Sequence, residues 1–295
     1  MTAQGRPWPE LLLLGLLALL WGSSYVLIGV AVDELPPLSL IALRVAGAAA
    51  FLLVVMACRR ERLPRDGRTW CMLLVQAGFN SIGAWTVLAW GQQFVDAGLA
   101  AVLNSTSPVF VLLFTALGTE RQAHMELRWV GAAVGLLGVV LIVGVDALRG
   151  LGDAVIGQIA CLLGAVLYAG AAIYGRRFGH LSALATATGT MLWATGVLVP
   201  AALVVDRPWT LVPSFGAITA TLVLSVLCTG FALLIYFRLV RTLGSMGVAS
   251  QSYLRAAVGA FLGWAILGET ISAPVGAGMV AAIGGVILIN WPGRR

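Results

Sequence analysis

The chain has 295 residues, of which 60% are hydrophobic and only 10% charged, with a formal net charge of +6. A soluble domain carries about 25% charged residues, so the composition excludes a soluble enzyme or a nucleic-acid-binding module and indicates a membrane protein. All 18 basic residues are Arg; without Lys there is no phosphate-binding P-loop and no Schiff-base amine.

A helix needs ~20 apolar residues to cross the hydrocarbon core. Ten such stretches follow one another: 11–32, 38–57, 70–91, 97–118, 127–145, 154–175, 182–204, 215–237, 246–267 and 273–291. The first exceeds the apolar run of a signal peptide and is expected to remain as a helix; it carries Trp21, Ser24 and Tyr25. Pro36-Pro37 separates it from the second, which holds Arg44. A charge in lipid costs several kcal/mol, so Arg44 should face protein or a watery cavity. The third contains Gln76, Asn80, Ser81, Trp85 and Trp90, and its Asn80–Gly83 interruption predicts a local bend. In the fourth, Asn104-Ser105-Thr106-Ser107-Pro108 predicts a kinked helix with freed carbonyls near a cavity. The fifth presents Gly131, Gly135 and Gly138, and the tenth Gly278, Ala282 and Gly285. Such small faces allow close helix contact; packing of the scaffold and a homodimer face both stay open. Between these lie Tyr168 and Tyr174 in the sixth, Thr186, Thr188, Thr190 and Trp193 in the seventh, Tyr236 in the eighth, and Ser250, Gln251, Ser252, Tyr253 and Arg255 in the ninth.

The connections sort by charge. One side collects Arg6, Arg59, Arg60, Arg62, Arg65, Arg68, Arg121, Arg128, Arg176, Arg177, Arg238, Arg241, Arg294 and Arg295; the other has Arg149 and Arg207. The positive-inside rule then puts both termini in the cytoplasm. His124 and His180 fall in connections without metal-ligand spacing. Cys58, Cys71, Cys161 and Cys228 form no CxxC and read as small apolar core residues. No cofactor or metal is expected, and the partners are a small-molecule substrate and membrane lipid, not nucleic acid.

Shifted by 147 residues, the chain matches itself. Leu16, Ala18 and Leu20 meet Leu163, Ala165 and Leu167; Gly83 meets Gly230; Gly131 and Gly138 meet Gly278 and Gly285. Five spans fall on five. An odd number makes the halves enter the membrane from opposite sides, the architecture of secondary transporters. The expected fold is an all-α membrane protein with ten transmembrane helices as two inverted five-helix repeats, 1–147 and 148–295.

Leu19-Leu20-Trp21-Gly22-Ser23-Ser24-Tyr25, then Pro36-Pro37 and Arg44, resembles the opening of EamA-type members of the drug/metabolite transporter superfamily. Asn104–Pro108 and Leu267-Gly268-Glu269-Thr270 are similar to that family's repeated signatures. The resemblance implies ten helices, two EamA repeats and transport of small metabolites, often amino acids, with an aromatic amino-acid exporter branch among its members. Ala256 stands where the family commonly has Pro, and Met191 where the first repeat has Arg44, so the halves are not expected to bind equivalent groups.

The candidate substrate-binding residues are Trp21, Tyr25, Arg44, Asn80, Trp85, Asn104, Tyr168 and Tyr253. Arg44 either pairs with a helix end or a loop carboxylate such as Asp33 or Glu34, or clamps a substrate carboxylate with its bidentate fork. Arg255, nearer the cytoplasmic end of its span, is expected to snorkel. Glu120 and Glu269 at helix ends are expected to pair with Arg or to cap. No Asp or Glu lies near the middle of a span, which weighs uniport or exchange above proton antiport. The expected function is export of amino acids, aromatic or large apolar, across a bacterial inner membrane by alternating access, and not enzymatic catalysis. The alternative is a multidrug exporter of hydrophobic cations.

Overall fold

Composition dictates the class. Lipid cannot satisfy backbone groups, so an apolar chain bonds its own backbone within helices. In the computed structural model, residues 8–32, 34–91, 93–95, 97–117, 125–267 and 270–291 are described; the side chains of a few residues inside helices, Tyr25 among them, are not. The described residues are helical and contain no strand.

The elements follow the chain as α1 (Trp8–Val32), α2 (Pro37–Arg59), α3 (Gly67–Ala77), α4 (Trp85–Gly91), α5 (Ala97–Asn104), α6 (Ser107–Leu117), α7 (Met125–Val143), α8 (Val155–Gly175), α9 (Ala183–Val205), α10 (Phe215–Ser225), α11 (Ala232–Thr242), α12 (Gly244–Ala249), α13 (Gln251–Leu267) and α14 (Ala273–Ile289). Wider helical turns over Gly78–Ala84 and Val226–Phe231 join α3 to α4 and α10 to α11. Among the described residues, seven helices are long and apolar enough to cross a membrane: 37–59, 67–91, 99–117, 125–143, 155–178, 183–205 and 215–242. Trp8–Ser24 and Ala273–Ile289 are apolar but shorter. Ten crossings were expected from the sequence; seven meet this measure.

The starts and stops have local causes. Asp66, Ser182 and Ser214 accept the N–H of Thr69, Ala185 and Ala217 and cap α3, α9 and α10. Pro37 occupies the first turn of α2, where no N–H is needed. Arg60 ends α2 in the left-handed conformation at φ 54, and the N–H groups of Arg60 and Glu61 close back on Ala57 and Met56. Thr186, Thr188 and Thr190 return their hydroxyls to carbonyls four residues back on α9, at 2.9, 2.7 and 2.7 Å. Those hydroxyls are satisfied within their own helix.

The halves interlock through equivalent elements. α2 packs on α9 and α7 on α14, each pair being counterparts under the 147-residue shift. Crosswise, α1 packs on α10, α11 and α13, while α8 packs on α4 and α6. The break in regular winding repeats too, at Gly78–Ala84 and Val226–Phe231, and again where Ser105-Thr106 parts α5 from α6 and Ser250 parts α12 from α13.

The α7–α14 seam is made of backbone. A Cβ on Gly131 would lie 2.8 Å from the Gly285 carbonyl oxygen, and one on Gly285 2.6 Å from that of Gly131. No side chain fits at that separation. The glycine faces of the fifth and tenth sequence spans therefore pack on each other inside the chain.

Large apolar side chains stand on the outside, among them Leu12 and Val204 at 75% and 76% exposure, as lipid contact requires. Cys161 and Cys228 are buried, whereas Cys58 and Cys71 are exposed. The expectation of four core cysteines is corrected for the latter two, which lie in the last turn of α2 and the first turns of α3, at the ends of the bundle's helices.

Candidate functional site

Three helices bring one face each to a cavity of about 320 Å³. α1 offers Trp21, Ser24 and Ile28, and α2 offers Pro37, Leu40, Ile41 and Arg44; these spacings of three, four and seven keep them on one stripe. α4 adds Trp85, Leu88 and Ala89, with Gln93 just beyond its end. The second half supplies Tyr168 from α8 and Arg255 from α13.

Arg44 is fixed from behind. Its Nε donates to Thr229 Oγ1 at 2.6 Å, and Nη2 approaches the Cys228 carbonyl at 3.4 Å. Thr229 spends its own proton on the Leu224 carbonyl at 2.9 Å, so its oxygen faces Arg44 as an acceptor. The guanidinium carbon lies 4.4 Å from the centre of the Trp85 ring, a cation–π contact worth about 0.5–2 kcal/mol. The wide turn over Val226–Phe231 makes this brace available. There the Ala232 N–H bonds Leu227 and Thr229 and bypasses the Cys228 carbonyl, which receives Trp21 Nε1 at 3.1 Å instead.

Trp21 thus meets Arg44 at one carbonyl. Its ring sits 5.6 Å from that of Tyr236, and the Arg255 guanidinium carbon is 6.0 Å from its centre. Ser24 bonds the Leu20 carbonyl at 3.0 Å. The cavity thus carries two guanidinium groups on aromatic walls, and none of the described lining residues is Asp or Glu. Among the described residues no three His, Cys, Asp or Glu side chains meet to hold a metal.

Of the candidates named from the sequence, Trp21, Arg44, Trp85 and Tyr168 come together here. Asn80, in the first wide turn, and Asn104, at the end of α5, are buried away from the described lining, at 2% exposure each. Tyr253 is fully buried with its ring against Gly135. The Tyr25 side chain, like Asp33, Glu120 and Glu269, lies outside the described residues. Asn104–Pro108 does interrupt its helix, but those residues do not line this cavity. Trp193 turns to Trp70, donating Nε1 to its carbonyl at 3.0 Å. Sequence reasoning assigned Arg255 to the membrane surface; it lines the cavity instead. Thr229 gave no signal beyond being a polar residue in an apolar span.

The loops at the ends of the bundle are tied. Glu34 receives the Ser214 N–H and its hydroxyl, the latter at 2.7 Å, and these bonds hold its carboxyl below the usual carboxylate range. Asp206 caps the start of α2 by accepting from Ser39 N and Oγ at 2.7 and 2.8 Å. Elsewhere Arg238 pairs with Glu10 at 2.8 Å, Thr242 bonds the same carboxylate at 2.9 Å, and Arg241 bonds the Leu181 carbonyl at 3.1 Å. Glu34, a possible loop partner for Arg44 by sequence, is thus engaged with Ser214.

The chain is similar in sequence and fold to known proteins. The EamA-like transporter family matches twice, over residues 8–144 and 155–291. The inner membrane transporter YedA of Escherichia coli is 29% identical over 256 residues, covering 87% of this chain and 82% of that protein. A probable amino-acid metabolite efflux pump of the same species is 26% identical over 230 residues, covering 74% and 73%. A crystal structure superposes with a TM-score of 0.83 at 17% identity, covering 96% of this chain and 98% of the other, which shows a shared fold. The chain belongs to the EamA-like transporter family, and the names of that family and of its relatives indicate a multi-pass membrane transporter.

Proposed function

We propose that this EamA-family transporter exports small carboxylate-bearing metabolites, amino acids with aromatic or large apolar side chains first among them, across a bacterial inner membrane. The observation that carries the reading is the cavity itself: Arg44, braced by Thr229 and laid on Trp85, faces a space walled by Trp21 and Tyr168. A guanidinium fork matches a carboxylate bidentately, and the aromatic walls suit an apolar side chain. The relative described as an amino-acid metabolite efflux pump agrees with this class.

The mechanism is alternating access. Ten crossings form two inverted halves, both termini lie in the cytoplasm, and the halves rock about the central cavity. In that orientation the end of α1, the start of α2 and the end of α4 point to the exterior, so this conformer holds its cavity toward that side. Export of hydrophobic cations is disfavoured by two arginines on the wall.

The test is counterflow in proteoliposomes with a panel of radiolabelled amino acids, with and without a pH gradient. Saturable exchange of aromatic or large apolar amino acids supports the reading. Rates equal to protein-free liposomes for the whole panel refute it.

A further inference from the structure

We propose that the connection between α2 and α3 is a docking surface for the headgroup of an anionic phospholipid of the surrounding bilayer.

Half of residues 59–68 are arginines: Arg59, Arg60, Arg62, Arg65 and Arg68, and all of them are exposed. The stretch joins two helices long and apolar enough to cross a membrane, 37–59 and 67–91, so it stands at the level of the headgroups. Among the described residues, none of these guanidinium groups has a hydrogen bond or an ion pair. The two acids of the stretch are engaged within the protein. Glu61 accepts the Ser182 hydroxyl at the start of α9, and Asp66 accepts the Thr69 N–H at 2.8 Å as the cap of α3. Positive charge is therefore left in excess, and its donors point to no partner in the chain.

The surface is fixed rather than trailing. Arg60 is left-handed, and the N–H groups of Arg60 and Glu61 close back on α2. Trp70 Nε1 donates to the Pro64 carbonyl at 2.9 Å, and Trp193 Nε1 to the Trp70 carbonyl at 3.0 Å. Glu61 ties the same stretch to α9. An array held this way loses less freedom when a ligand docks. Guanidinium forks match phosphate oxygens in pairs, and basic clusters beside a membrane helix attract anionic lipid. Below the arginines the outer faces of the two helices are apolar, with Leu53 and Val54 on α2 and Leu74 and Val75 on α3 exposed, which suits the acyl chains of the same lipid. Trp70, at the start of α3, is of the residue type that marks the interface.

The other end of α2 has the opposite chemistry. There Asp206 accepts from Ser39, and Glu34 from Ser214. Orienting the helices needs only an excess of basic residues in a connection; it does not require a braced backbone, nor acids engaged elsewhere.

The experiment uses the purified full-length protein. Native mass spectrometry counts the lipids retained from micelles doped with phosphatidylglycerol or phosphatidylcholine. Wild type is expected to retain phosphatidylglycerol about tenfold better, the order of one charge-assisted contact, and high salt should erode the preference. Changing Arg59, Arg62 and Arg65 together to Gln should remove it; changing the same three to Lys should keep most of it. A second arm needs no variant. Arginine modification by phenylglyoxal, mapped by peptide mass spectrometry, should fall several-fold at residues 59–68 in phosphatidylglycerol nanodiscs relative to phosphatidylcholine nanodiscs, and stay unchanged at Arg207. Equal retention of the two lipids, an undiminished preference in the Gln variant, an equal loss in the Lys variant, or equal modification in the two nanodiscs each overturns the proposal. Protection by free glycerol phosphate as strong as that by phosphatidylglycerol also overturns it, because the surface would then take a soluble phosphate rather than a bilayer lipid. None of these outcomes bears on the transport reading, which is judged by flux.

Discussion

Arg44 can sit in an apolar helix because its charge is met by specific partners. The most direct is Thr229, fully buried, whose hydroxyl accepts from Nε at 2.6 Å. Thr229→Val keeps the shape and removes the acceptor. Leaving a buried donor unpaired costs about 1–3 kcal/mol, so Arg44 should lose its fixed orientation. Transport should fall several-fold while the protein stays monodisperse, and Thr229→Ser should restore it; an unchanged rate in the valine variant contradicts the brace. A second residue sets a pH dependence. Bonds from Ser214 hold the Glu34 carboxyl below its ordinary value, so its contribution to stability is present above the unfolded carboxylate range of about 4.3 and is lost as pH falls through the lower folded value. The melting temperature gap between wild type and Glu34→Gln should shrink from pH 7 toward acid, and a constant gap argues against it. Arg44 was legible in the sequence because a charge in an apolar stretch has few places to go. Thr229 and Arg255 were not: the first acts through a winding defect that an apolar stretch conceals, and the second could be placed only once α13 was packed against α1.

At the scale of elements, the glycine spacing in α7 and α14 announced a close seam, and only the fold revealed that each is the other's partner. The seam gives a sharp contrast between neighbours. Gly285 faces α7, where a Cβ would lie 2.6 Å from the Gly131 carbonyl oxygen, whereas a Cβ on Gly284 meets nothing within 4 Å. Gly285→Ala should therefore destabilise by about 1–3 kcal/mol through overpacking, whereas Gly284→Ala should be neutral or mildly stabilising because Ala is the better helix former. Thermal unfolding of the two variants in detergent checks this; similar melting temperatures would contradict the assigned faces. The first wide turn could be anticipated from the polar Asn80–Gly83 interruption. The second, Val226–Phe231, lacks any such cluster, and only its repeat relation to Gly78–Ala84 points to it.

For the whole molecule, the repeat visible as a 147-residue shift reappears as paired helices, paired winding defects and crosswise packing. The cavity does not share that symmetry. Of its thirteen described lining residues, eleven come from the first half, and only Tyr168 and Arg255 from the second. The scaffold is duplicated and the chemistry is not, which is why the fold was more legible than the site: periodicity and charge bias reveal packing, but convergence of side chains on a cavity depends on how helices face one another. The central claim is that this cavity binds what the protein moves. Initial rates of counterflow of a labelled aromatic amino acid, measured in proteoliposomes holding equal amounts of folded wild type and Arg44→Ala, test it most directly. The account predicts a rate at least about tenfold lower in the variant, the order expected from losing a charge-assisted hydrogen bond; equal rates would contradict it.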